Sequence, residues 1–133
     1  MNNSLLLLSL LTFLVILGYW QRLRHGKLKK VNGLSISAVE LNQKLGDKAT
    51  IVQFSTTFCS ECRTAKAIVK DVVKEYQDIT YVEVDAESNL DLVRRFDIRS
   101  TPTTIFLDSK GCEIARAKGA PKRDQLIKAI KAI

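Results

Sequence analysis

The chain has 133 residues, 46% hydrophobic and 26% charged, which suits one globular domain with an appendage and excludes a disordered chain. The net charge is +7, but five of the 21 Lys and Arg lie in residues 22–30 with no acid among them, and residues 31–133 carry 16 basic against 14 acidic groups. A nucleic-acid-binding domain carries its charge on the folded body, so no nucleic-acid partner is expected, and three cysteines are too few for a disulfide-stapled miniprotein.

Residues 5–20 read LLLLSLLTFLVILGYW, with no charged side chain. A helix of that length spans roughly 24 Å, and Asn2 to Ser4 with the stem of Gln21 extend it toward a ~30 Å hydrocarbon core. Tyr19 and Trp20 close it with the amphipathic rings that favour a membrane interface. A cleaved signal peptide wants a positive start and a small-x-small cleavage site. Residues 1–4 carry no side-chain charge, and Gly18-Tyr19-Trp20-Gln21 is a poor site. The sequence therefore predicts a retained membrane anchor over 1–21, with the lipid membrane as a partner. A basic linker follows over 22–33 (Arg22, Arg24, Lys27, Lys29, Lys30), and then a folded domain over 34–133. Positive flanks stay on the cytoplasmic side, so a single-pass chain with a cytoplasmic domain is expected. An extracytoplasmic domain is the alternative, since a folded domain can cross regardless of charge. His25, in the flank, has no second ligand beside it and reads as a surface residue.

In the domain, a first strand around Leu34 to Ile36 is only faintly signalled. Ser37 and Glu40 form a capping-box pattern, Ala38, Leu41, Asn42 and Leu45 follow at helical spacing, and Gly46 suits the stop. Ile51 to Phe54 reads as a buried strand. A long amphipathic helix follows, its face marked by Ala65, Ile68, Val69, Val72, Val73 and Tyr76. Ile79 to Val84 is β-branched and aromatic, hence a strand. Ser88 or Asn89 can cap a short helix carrying Leu90, Val93 and Phe96. Thr104 to Leu107 and residues 112–118 form a hairpin around Asp108-Ser109-Lys110-Gly111, with the glycine in a left-handed position. Pro121 suits the start of a last helix with Leu126, Ile127, Ile130 and Ile133. A strand–helix–strand unit pairs in parallel and a hairpin antiparallel, so the fold class is α/β, with a mixed central sheet flanked by helices.

The informative motif is Thr57-Phe58-Cys59-Ser60-Glu61-Cys62-Arg63, between a strand and a helix. A thiol at a helix N-terminus has its thiolate stabilised by backbone N–H groups and the helix dipole, which makes Cys59 the attacking sulfur. Cys62, nearly one turn deeper, suits the resolving role. A zinc site needs two more ligands, and only Cys112 and His25 are at hand, so no metal is expected. Covalent haem would need His at 63, where Arg stands. Cys112 reads as a small packed hydrophobe.

At these residues the chain resembles the thioredoxin family, over roughly 36–133. The matching segments are IVQFSTTFCSECR, then VEVD ending at Asp85, then FDIRSTPT, and Gly119. The resemblance implies a thioredoxin-like fold and a cis Thr101–Pro102 bond beside Cys59. It implies substrate contacts from Phe58, Thr101, Pro102 and Gly119, and a protein-disulfide reductase that uses the Cys59–Cys62 disulfide and no other cofactor. Its partners would be protein disulfides and a thiol reductase or carrier as electron donor. The chain departs from the family pattern at Phe58 for tryptophan and Ser60-Glu61 for Gly-Pro. Gln53 replaces the buried aspartate and Tyr81 its lysine partner. Ser60, Glu61 and Gln53 are thus expected to tune the redox chemistry, with the Glu61 carboxylate lying between the cysteines and opposing the Cys59 thiolate. Two other functions fit the same residues: reduction or isomerisation of envelope disulfides, including cytochrome maturation, or a non-catalytic tethered binding module.

Overall fold

The first helix, α1 (Asn3–Arg24), is apolar on every side, and its large apolar side chains from Leu5 to Trp20 are exposed. In the computed structural model, which describes residues 3–24, 28–30 and 33–133, its segment Asn3–Arg22 has a mean hydropathy of 1.9, enough to cross a membrane or to act as a signal sequence. The Ser9 hydroxyl donates to Leu6 O at 2.8 Å, and that of Thr12 to Leu8 O at 3.1 Å. Both hydroxyls thus bond to backbone carbonyls within the helix. Asn2, His25, Lys27, Val31 and Asn32, which the sequence reading placed in the anchor and its flank, lie outside the described residues.

The remaining elements are β1 (Leu28–Lys30), α2 (Ala38–Leu41), β2 (Ala49–Ser55), α3 (Ser60–Val73), β3 (Ile79–Asp85), α4 (Leu90–Arg95), β4 (Thr103–Asp108), β5 (Glu113–Lys118) and α5 (Arg123–Lys131). Five strands form one sheet in the order β1-β5-β4-β2-β3. Only β2 and β3 run parallel; the other pairs are antiparallel. The chain has a thioredoxin-like fold, with a mixed sheet between two helical layers.

Strand β2 is buried at all seven positions because helices cover both of its faces, which is why its sequence does not alternate. Val52 and Phe54 face a core with Val82, Val84, Phe96, Ile105 and Leu107, under α2 and α4. Ala49 and Ile51 face Val69, Val72, Phe106, Leu126 and Ile130, under α3 and α5. Each fully buried side chain of this size contributes about 1.5–3 kcal/mol.

Several elements differ from the sequence reading, each for a local reason. The edge strand β1 lies in the stretch read as linker, and at Leu34 to Ile36 only the bridge Ser35 to Cys112 forms. Helix α2 stops at Asn42, which takes φ 49 and donates its backbone N–H to Ala38 O and Val39 O; Gly46 instead lies where a Cβ would fall 2.0 Å from Ala49 O. Helix α3 ends at Val73, short of Tyr76. On α4 it is Leu92 that is buried, while Leu90 is exposed. The Asn89 side chain gives α4 no cap bond and donates instead to Asp85 O at 2.9 Å. Pro121 precedes the cap residue Lys122. The hairpin forms as expected, with Gly111 at φ 83; a Cβ there would meet Ile36 O at 2.2 Å, so glycine is required twice over.

Candidate active site

Strand β2 delivers the chain through Thr56 to Cys59, which takes an extended conformation and caps α3. The Cys59 sulfur accepts from Cys62 N at 3.1 Å and is joined to the Cys62 sulfur, with a Cα–Cα distance of 5.2 Å. Cys62 is 3% exposed, on the inward face of α3, while Cys59 is partly open. Any reagent approaching from solvent therefore meets Cys59 first. Its position at the helix start also favours the thiolate, through the first-turn N–H groups.

Two other loops close on this pair. The Thr101–Pro102 peptide bond is cis, and Thr101 Oγ1 lies 3.3 Å from Thr56 Oγ1. Thr103 Oγ1 donates to Ser100 O at 2.7 Å and fixes the end of that loop. Gly119, at φ 77, donates its N–H to Pro102 O at 2.8 Å. Next to it, Ala120 N donates to Glu61 Oε1 at 3.1 Å. The structure thus gathers Cys59, Cys62, Glu61, Thr101, Pro102 and Gly119. Phe58 is 97% exposed beside them, and Ser60 lies on the surface in the first turn of α3. One oxygen of the Glu61 carboxylate is occupied by the Ala120 amide, because the loop after β5 offers an open donor within reach.

Beneath the cysteines lies a polar group that core filling alone would not produce. Gln53 is fully buried, yet every polar atom of its amide is bonded. Its Nε2 donates to Cys62 O at 3.0 Å and to Ser55 Oγ at 2.9 Å, and its Oε1 accepts from Tyr81 OH at 3.2 Å. Burial, and secondarily the charge of Glu83, push the Tyr81 hydroxyl well above its ordinary range, so it is a neutral donor at any physiological pH. Lys70 stands 6.0 Å over the Tyr81 ring, and Lys66 pairs with Glu83. Thr104 stands opposite Gln53 in the sheet, its buried hydroxyl without a partner among the described residues. Sequence reasoning passed over Ser55, Thr56 and Ala120. Only Thr56 left a trace, as a hydroxyl between the strand and the cysteine pair.

A mixed α/β sheet with a cysteine pair at a helix start, beside a cis proline, defines a thiol–disulfide oxidoreductase. The thioredoxin family model matches residues 34–132. Thioredoxin H5 of rice (Oryza sativa subsp. japonica) is 34% identical over 77 residues, 58% of this chain and 56% of that protein, so this chain spans little more than half of it. The thioredoxin of Ophiophagus hannah is 29% identical over 103 residues, 77% of this chain and 95% of the relative. A thioredoxin structure from Nicotiana alata superposes with a TM-score of 0.60 at 28% identity, covering 71% of this chain and 81% of that one. The chain belongs to the thioredoxin family.

Proposed function

We propose that this chain is a membrane-anchored reductase of protein disulfides, working from the cytoplasmic face. One observation carries the reading: Cys59 is the open sulfur at the start of α3, joined to a Cys62 that is 3% exposed. In the reduced protein the Cys59 thiolate attacks one sulfur of a substrate disulfide. A Cys59–substrate bond forms, the substrate S–S bond breaks, and the departing substrate thiolate takes a proton. Cys62 then loses its proton and attacks the Cys59 sulfur. The mixed disulfide breaks, the second substrate thiol leaves protonated, and the Cys59–Cys62 bond closes. Two electrons and two protons pass to the substrate. A dithiol reductase or thiol carrier restores the pair.

Phe58, Thr101, Pro102 and Gly119 border the open sulfur and suit an extended substrate segment. Ser60, Glu61 and Gln53 set the poise of the pair. Residues 1–21 act as the anchor, 22–33 as the basic connection, and 34–133 as the catalytic domain, with β1 borrowed from the connection to complete the sheet. The basic flank after the span favours the cytoplasmic side, where thiol systems keep such a pair reduced.

Trapping tests the assignment. With Cys62→Ser, mixed disulfides with substrate proteins should accumulate on non-reducing gels, because resolution is blocked. Cys59→Ser should trap none and abolish turnover. The reverse pattern would exchange the two roles, and turnover surviving in both variants would end the reductase reading.

A further inference from the structure

We propose that the anchor holds the redox pair against the membrane surface, so that this protein's substrates are disulfides in protein segments close to the lipid headgroups. The inference rests on the anchored reading above and adds the location of the substrate. It follows from where the chain enters the sheet. Strand β2 runs toward the site and ends at Ser55, β4 leaves it at Thr103, and β5 runs back to it and ends at Lys118. The chain arriving from α1 joins β5 at this same end, with Leu28 opposite Ala117, Lys29 opposite Arg116 and Lys30 opposite Ala115. It then runs away from the site. Glu113 N donates to Leu34 O at 2.8 Å, Ser35 bridges to Cys112, and Ile36 N donates to Gly111 O at 2.9 Å, at the opposite end of β5. The direction of entry is thus fixed at both ends of the strand.

The distances are short. Leu28 is four residues beyond Arg24, the last residue of α1, a reach of at most ~14 Å. From β1 to β2 the sheet crosses three strand spacings, about 14 Å. The cysteine pair therefore lies within roughly 30 Å of the end of the span. Entry at the hairpin end would have added the length of β5, about 20 Å, and turned the site away from the anchor.

The charges at this end agree with that placement. On the β5 side, toward the anchor, Lys118 and Lys122 are exposed and flank the Gly119 loop. On the β3 side Asp85 and Glu87 are exposed, and Glu87 accepts from Thr57 Oγ1 at 3.1 Å. An anionic lipid surface attracts the first rim and repels the second. The domain then leans on its β1–β5 edge and leaves the cleft over Cys59 open sideways along the membrane. Phe58, 97% exposed at the same end, presents the kind of ring that interfaces accept.

The test uses the full chain, reduced and reconstituted into vesicles containing anionic lipid. Three disulfide peptides are compared. One carries its disulfide a few residues from a transmembrane segment, one carries it beyond a long rigid helical spacer, and one is soluble. A second protein variant has a rigid helix of about 20 residues, roughly 30 Å, inserted after Arg24. The natural chain should reduce the near disulfide about tenfold faster than the distant one, as expected for a raised effective concentration. The lengthened chain should lose or reverse that preference. Equal rates on the soluble peptide would show that insertion left the site intact. Co-flotation with the vesicles is scored in parallel. A chain that fails to float overturns the anchor and this inference together. A chain that floats but shows no near preference, or keeps it after lengthening, overturns this inference alone.

Discussion

At the scale of single residues, the departures from the family pattern surround the sulfurs. Glu61 puts a carboxylate in the first turn of α3, where it offsets part of the benefit the helix start gives the Cys59 thiolate. Its contact with Ala120 N draws the charge toward the loop after β5 and softens the effect. Glu61→Gln keeps an acceptor for that amide and removes the charge. The apparent Cys59 pKa should then fall by no more than about half a unit, worth roughly 0.7 kcal/mol. Gln53 bonds the Cys62 carbonyl but has no proton to exchange, so substrate reduction should follow one ionisation, that of Cys59. Gln53→Asp should add a second, because a carboxyl buried at that position titrates upward. Rates of alkylation and of substrate reduction against pH, for the three chains side by side, read both effects. A Cys59 pKa that stays unchanged or rises in Glu61→Gln would overturn the charge argument, since the variant keeps the Ala120 contact. The presence of the cysteine pair was legible from spacing alone. The Gln53–Tyr81–Cys62 set was not, because those residues are far apart in sequence and meet only when β2, β3 and α3 pack together.

At the scale of elements, the best-read segments were those whose signal is local. The capping box at α2 formed as Ser37 and Glu40 require, with Ser37 N donating to Glu40 Oε2 at 2.9 Å. The Asp108–Gly111 turn closed because Asp108 Oδ1 accepts from Lys110 N and Cys112 N, both at 2.9 Å. The misread ends lie where distant contacts decide: α2 stops short because Leu45 must reach the core, and β1 exists only because β5 offers an edge. One tertiary contact was invisible in sequence, the ion pair of Glu40 with Arg95 of α4 at 2.6 Å. Its hydrogen bond, followed by that from the Ser37 backbone, lowers the Glu40 carboxyl from 4.5 to about 2. A carboxyl lowered on folding stabilises above its unfolded value and loses that contribution as pH falls toward its folded one. The pair is one-third exposed or more on each side, so solvent screening limits it to about 0.5–1 kcal/mol. Glu40→Gln retains the capping box and loses the ion pair. Urea unfolding of the full chain in neutral detergent should show the variant less stable by that amount at neutral pH. The gap should close between about pH 4.5 and pH 2. A gap that persists in acid would show that the loss does not come from the charge.

At the scale of the whole molecule, the chain divides its labour between a 22-residue exposed apolar helix and a sheet that holds the chemistry. In the anchored reading proposed above, the side of the membrane sets the direction of that chemistry, since a reducing compartment keeps the pair as a dithiol and an oxidising one as a disulfide. In that reading the flank favours the cytoplasmic side: five Lys and Arg follow the candidate span within ten residues, and each charge of this kind resists translocation. The test needs a chain in which the cysteine pair is the sole source of thiols, so Cys112, which is partly exposed, is replaced by serine. Intact cells expressing this variant are treated with a permeable reductant, washed, and exposed to a membrane-impermeant maleimide. No labelling of the chain is expected until the cells are lysed, whereupon Cys59, the more open of the two sulfurs, should react first. A parallel sample without reductant, acid-quenched before lysis, reads the resting state, and in the cytoplasm it should be mostly dithiol. Labelling of intact cells would place the domain outside. A resting disulfide in the same experiment would turn the protein from a reductase into an oxidant or isomerase of envelope proteins.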